Sequence, residues 1–95
     1  MTHHAALRRA FLAALACAGA CLPGEAAAQG CDELWYERNR IYKEAGYCFR
    51  TPRGIRAFGN AGCSYDDERD VPLSVRQRET VAQIRRTERT IGCAP

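Results

Sequence analysis

Between Cys31 and Ala45 the apolar residues recur at helical spacing. Cys31, Leu34, Trp35, Ile41, Tyr42 and Ala45 fall on one stripe together with Arg38, whereas Asp32, Glu33, Glu37, Arg40, Lys43 and Glu44 cover the other side. The pattern predicts an amphipathic helix with one buried face, around which the rest of the chain folds. Gly46 supplies the left-handed residue that stops such a helix, and Tyr47, Cys48 and Phe49 then return three side chains to the same core. Next, Thr51 as N-cap, Pro52 at the first helical position and Gly59 as a stop predict a helix of about two turns. Gly54 weakens it, and Ile55 with Phe58 forms its expected buried side. Asn60 to Pro72 reads as a polar loop pinned to the core by Tyr65 and Val71. Ser74 and Gln77 then form a capping-box pattern, and no helix breaker follows until Gly92. Val81, Ile84 and Ile91 share one stripe of this last helix with Gln77 and Glu88, with Leu73 just beneath. A stripe so narrow needs a partner helix to hold it. The expected fold is all-α: two long helices and one short one.

Arg38 is the lone charge on the apolar stripe of the first helix, and Glu88 is the lone charge on that of the third. A buried unpaired charge is expensive, so the economical arrangement is a hydrogen-bonded Arg38–Glu88 pair across the interface between the long helices.

The N-terminal region reads as an address. Arg8 and Arg9 provide a positive segment, Ala10 to Leu22 an apolar run too short to span a bilayer, and Ala26-Ala27-Ala28 a small-residue cleavage site before Gln29. A Sec-type signal peptide over residues 1–28 and a domain over residues 29–95 follow, with the product periplasmic or secreted and free of the membrane once processed. An uncleaved anchor and a lipoprotein are the alternatives. Cys17 and Cys21 lie in or beside the apolar run, but Ala14 and Ala18 stand three residues before them, where a lipobox wants Leu.

Removing the leader changes the inventory. Both histidines, His3 and His4, leave with it, and the remaining body is too small to be stabilised comfortably by burial alone. Its cysteines are Cys31, Cys48, Cys63 and Cys93, an even set that in an exported chain favours two disulfides over a metal. With no Cys-x-x-Cys pair and no histidine in the body, zinc has no ligand set, and no cofactor is expected. Three pairings are possible in principle. Cys31 with Cys93 and Cys48 with Cys63 are favoured, because the first pair lies at the ends of the long helices and the second brackets one short segment. Closing these loops stabilises by about 4 and about 3 kcal/mol respectively, comparable to the whole stability of a small domain.

Arg78, Arg85 and Arg89 line another face of the last helix without alternating carboxylates to neutralise them locally. Such a stripe is either a solvated face in contact with the acidic loop at Asp66 to Asp70, or a patch that recognises carboxylates or phosphates of the cell envelope. Tyr36, on the polar side of the first helix, is the large ring expected to be exposed, and beside the arginines it would serve as a stacking surface. Nucleic acid is a poor partner for a chain with formal net charge +3 that loses two arginines with its leader. The acidic loop lacks the EF-hand order needed for calcium. Glu88 has no second acid or base beside it in sequence, and Ser64 and Ser74 have no visible base.

The run Arg38-Asn39-Arg40-Ile41-Tyr42-Lys43-Glu44-Ala45-Gly46-Tyr47-Cys48-Phe49 resembles the core of the YARHG domain, close to Arg-Asn-x-Ile-Tyr-Ala-Arg-His-Gly-Tyr-x-Phe. Arg38, Asn39, Ile41, Tyr42, Gly46, Tyr47 and Phe49 match, and Lys43-Glu44-Ala45 replaces the family's Ala-Arg-His, so no role of that histidine carries over. Tyr65, Val71 to Ser74 and Ile84 to Glu88 are similar to the family's second half. The resemblance implies an extracellular or periplasmic bacterial domain without an established activity and associated with the cell envelope. The cysteines lie outside that general pattern. Together these readings point to a non-enzymatic exported domain that binds an envelope polymer or a periplasmic protein. The alternatives are a small envelope hydrolase or its accessory subunit, using Glu88 or the carboxylates at Asp66 to Asp70, and a protein-facing inhibitor or assembly factor.

Overall fold

The computed structural model describes residues 23–95. Among them the chain forms three α-helices, α1 (Pro23–Glu44), α2 (Pro52–Phe58) and α3 (Val75–Thr90), and a 3-10 turn at Glu68–Asp70. The expected leader lies outside the described residues as far as residue 22, as do Cys17 and Cys21, and the expected cleavage point before Gln29 falls within the early turns of α1. Among the described residues the helix already runs from Pro23, ahead of Cys31, because Glu25 to Gln29 is a run of good helix formers and leaves α1 no reason to stop at the edge of its apolar stripe. At its other end Gly46 adopts φ 98°, and the Tyr47 N–H closes onto the Tyr42 carbonyl at 3.0 Å. A Cβ at Gly46 would sit 3.3 Å from the Tyr65 ring, so glycine also admits the loop that crosses there.

α1 and α3 pack antiparallel and are tied at three levels. Cys31 and Cys93 form a disulfide at one end, with Cα atoms 5.5 Å apart. Midway, Arg38 Nε donates to Glu88 Oε1 at 2.8 Å and Nη2 to Oε2 at 3.0 Å, a two-pronged bond between side chains that are 13 % and 11 % exposed. At the far end Ile41, Tyr42, Val71, Leu73 and Val81 form the buried cluster, with Ala45, Tyr47, Tyr65 and Ile84 packed around it. The expected stripe on α3 is shorter than its spacing implies: Val81 and Glu88 are buried, but Ile91 is exposed. The Ser74–Gln77 capping box starts α3 in both directions, Ser74 accepting from the Gln77 N–H and Gln77 from the Ser74 N–H.

The short helix docks differently from expectation. Thr51 caps it and Gly59, at φ 70°, ends it as its sequence predicts, but Ile55 is exposed and Gly54 is the buried residue. A Cβ at Gly54 would lie 2.7 Å from Phe49 Cδ1, so the missing side chain is what lets the Phe49 ring seat against the helix. Phe49 stacks on Phe58 with centroids 5.0 Å apart, and Phe58 in turn meets Trp35 at 6.0 Å and Tyr36 at 4.9 Å. On its other side Phe49 meets Tyr47, and Tyr47 meets Tyr42, both edge-on. This run of rings connects α2 to the core beneath α1 and α3.

The stretch from Asn60 to Pro72 is more ordered than a polar loop. The Asn60 side chain accepts from the Phe49 N–H (2.6 Å) and donates to the Phe49 carbonyl (2.9 Å), standing in for a missing strand. Tyr65 forms a parallel bridge with Tyr47, and the Cys48–Cys63 disulfide fastens the same place, Cα to Cα 5.1 Å. Val71, 2 % exposed, pins the loop's end as expected. The fold class and both disulfide pairings agree with the sequence reading.

Two changes test this packing. Arg38→Met or Glu88→Gln alone leaves a charge stranded between the long helices and lowers the unfolding free energy by roughly 3–5 kcal/mol, whereas the Arg38→Met/Glu88→Leu double variant recovers most of that loss in denaturant titrations. Gly54→Ala costs roughly 1–3 kcal/mol in the same measurement, because Phe49 has to move.

Candidate functional site

The arginines of α3 separate when the helix is packed. Arg78 and Arg85 share the rim of an open groove of about 270 Å³ whose floor is apolar: Tyr42, Val71, Leu73 and Val81. The 3-10 turn forms one wall of the groove, with Glu68 and Arg69 among its lining residues. Asp67 accepts from the Arg69 N–H at 2.9 Å and starts the turn, and the burial of Val71 holds its end. That geometry brings Glu68 to Arg85, Nη2 to Oε1 2.9 Å, with side chains 39 % and 46 % exposed. The acidic loop therefore neutralises Arg85, as the first of the two sequence readings held. Among the described residues Arg78 has no carboxylate at ion-pair distance.

Arg89 and Tyr36 are not part of this arrangement. Arg89 is exposed on the last turn of α3 and does not line this groove. Tyr36, 46 % exposed as anticipated, stacks on Phe58 and borders a shallow depression made by Asp32, Glu33 and Glu37. Its surroundings are acidic because α1 turns that polar side away from α3, so a stacking role beside the arginines is not what the packing provides.

Sequence spacing did not reveal a second cleft of about 370 Å³ between α1 and the start of α2. Trp35, Arg38, Asn39, Tyr47, Arg50 and Arg53 line it, and Glu68 borders it from the other side, as it also borders the α3 groove. The Arg53 guanidinium lies 3.9 Å above the Trp35 ring and bonds Asp32 at 2.8 Å. Arg38 is occupied by Glu88, and among the described residues Arg50 has no carboxylate at ion-pair distance. The only local hint was the density of arginine from Arg50 to Arg56, and nothing in that spacing says that α2 folds back beside Trp35.

Proton chemistry finds little support in these groups. Both oxygens of Glu88 accept from Arg38, which leaves none directed at a substrate. The Arg69 side chain, and then its backbone N–H, hold the Asp67 carboxyl down to about 2, opposite to the direction a general acid needs. Burial, with the Glu68 carboxylate adding to it, pushes the Tyr47 phenol up. Ser74 Oγ accepts the α3 cap bond from Gln77. The described residues contain no group of three or more His, Cys, Asp or Glu side chains that would hold a metal ion, and no described helix is long and apolar enough to cross a membrane. What the two grooves offer is guanidinium groups beside apolar or aromatic walls, suited to gripping anions.

A family model of the YARHG domain matches residues 9–89. This chain belongs to the YARHG family. No curated protein and no solved structure shows a significant match. YARHG domains are small, often extracellular and of unknown function. In this member the residues that carry the motif are also residues that hold the fold. Ile41, Tyr42 and Phe49 are buried, Arg38 grips Glu88, and Gly46 makes the turn. Tyr47 pairs with Tyr65, and Asn39 Nδ2 donates to the Trp35 carbonyl at 2.9 Å. Ala45, where the family pattern has histidine, packs against the core, and neighbouring Lys43 donates to the Gly59 carbonyl at 3.3 Å.

The Asp67–Arg69 bond has a pH signature. A folded-state value depressed to about 2 adds stability that is present above the unfolded carboxyl value near about 4 and disappears as pH falls through about 2. Thermal unfolding followed between about pH 5 and about pH 2 falls less steeply in Asp67→Asn than in the parent.

Proposed function

We propose that this YARHG domain is an exported, non-enzymatic binding module that recognises a carboxylate-bearing component of the cell envelope through the groove of α3. The observation that carries this reading is the Arg78–Arg85 rim over an apolar floor, where a carboxylate, that of Glu68, is already held. A guanidinium on an apolar wall binds an acidic group together with the carbon skeleton next to it, a combination that a solvated arginine face does not provide. Export is supported by the positive segment at Arg8 and Arg9, the apolar run to Leu22 and the small residues before Gln29. Two disulfides are in keeping with an oxidising compartment, and the family's frequent extracellular setting agrees. Cleavage before Gln29 leaves Cys31, and hence the staple to Cys93, intact. Against catalysis by Glu88 stands its full engagement by Arg38.

Retention on purified cell-wall sacculi tests the reading. The protein binds at low salt and elutes as salt rises, and Arg78→Ala/Arg85→Ala lowers retention by at least about fivefold while its melting temperature stays close to the parent's. Retention indifferent to salt and to both arginines would falsify the groove's role. Release of soluble fragments abolished by Glu88→Gln in a folded variant would establish an enzyme instead. Intact mass before and after reduction, in the same sample, reads processing at Gln29 and the number of disulfides.

A further inference from the structure

The two grooves meet at one residue. Glu68 borders the α3 groove, where it bonds Arg85 at 2.9 Å, and it also borders the cleft beside Trp35. On either side of it stands an arginine that, among the described residues, has no carboxylate at ion-pair distance: Arg78 in the first groove and Arg50 in the second. The segment from Glu68 to Val71 places an acid on a guanidinium and, three residues later, a valine that is only 2 % exposed. Glu68 and Val71 are both part of the groove's lining, the first holding a guanidinium at the rim and the second belonging to the apolar floor. The Arg85–Glu68 pair is 39 % and 46 % exposed, so its net strength is small and a competing carboxylate can displace it.

We infer that Glu68 is an internal competitor for the ligand, and that the ligand is an acidic peptide segment that passes Glu68 and engages Arg78 on one side and Arg50 on the other. This rests on the reading of the α3 groove above and extends it from a single contact to a track. A peptide is favoured over an anionic glycan because Tyr42, Leu73 and Val81 give the first groove an apolar floor rather than hydroxyl and amide partners for sugar oxygens. Glu68 contributes repulsion and competition, so it sets a threshold: ligands with one acidic group gain little by replacing it, and those with several gain on both sides.

Calorimetric titration of the purified, oxidised protein at low salt with diglutamate, hexaglutamate and hexagalacturonate tests the inference. An extended hexapeptide spans about 20 Å and a dipeptide about 7 Å, so the two probes differ about threefold in reach. Hexaglutamate binds at least about tenfold more tightly than diglutamate, and Arg78→Gln and Arg50→Gln each weaken it roughly fivefold or more. Diglutamate responds to Arg78→Gln alone. Glu68→Gln tightens hexaglutamate roughly two- to fivefold. Melting curves of the same samples verify that each variant is folded. Diglutamate binding that depends on Arg78, with no gain from length and no response to Arg50→Gln, overturns the track and leaves the α3 groove standing. Unchanged or weaker binding in Glu68→Gln overturns the competitor role, and tighter binding of hexagalacturonate than hexaglutamate overturns the peptide assignment. Failure of every probe to bind removes the track together with the α3 groove reading on which it rests.

Discussion

Arg38 and Glu88 meet where neither helix has enough apolar surface to hold the other. α3 buries only Val81 and Glu88 within its own length, so its contact with α1 between the disulfide and the apolar cluster depends on this pair. Taking two charges out of water is costly, and a two-pronged bond at 2.8 and 3.0 Å offsets that cost only in one alignment of the helices. A shift of α3 by one turn would leave both groups without partners. The pair therefore acts on register more than on total stability, and the Cys31–Cys93 staple holds the same register covalently from the end of the bundle. Everything downstream, from the seating of Leu73 to the position of Arg78 and Arg85, follows from how α3 lies on α1.

Between α1 and α3 the regular structure is limited to the short α2 and one 3-10 turn, and the rest is ordered by substitutes for it. Asn60 pairs with the Phe49 backbone as a neighbouring strand would, the Tyr47–Tyr65 bridge makes a single rung, and Cys48–Cys63 fixes both. Burying backbone in a loop without such partners would leave polar groups unsatisfied, and among the described residues no buried side-chain nitrogen or oxygen lacks a partner. The aromatic run from Trp35 through Phe58 and Phe49 to Tyr42 supplies the apolar contact that a short helix with an exposed Ile55 lacks on its own.

Seen as a distribution of charge, the domain spends its carboxylates on particular arginines. Glu88 takes Arg38, Asp32 takes Arg53, Asp67 takes Arg69 and Glu68 takes Arg85, while Glu37 and Glu44 share Arg40. Arg50, Arg56, Arg76, Arg78, Arg86 and Arg89 have no carboxylate at ion-pair distance among the described residues, and of these Arg50 and Arg78 line the two grooves that adjoin at Glu68. The motif that places the chain in its family builds the scaffold beneath those grooves. It accounts for how the surface is held up.

Much of the architecture was readable in the chain. Helical spacing, the Thr51 and Ser74 caps, the stops at Gly46, Gly59 and Gly92, and one misplaced charge on each long helix were sufficient for three helices and the Arg38–Glu88 pair, because each of these depends on local periodicity; of three possible disulfide pairings the sequence favoured the observed one, and only the structure chose it. The face on which α2 docks was not readable: Gly54 counts as a weak helix former in sequence, and only the approach of the Phe49 ring turns its missing side chain into the contact. Nor was the grouping of arginines, since Arg78 and Arg85 share a rim while Arg89 and Tyr36 do not, and Arg50 belongs with residues far from it in the chain. Local spacing decides which side of a helix a residue occupies. What stands opposite that side is decided by the packing of elements distant in sequence, and so the scaffold could be read from the chain while the surface built on it could not.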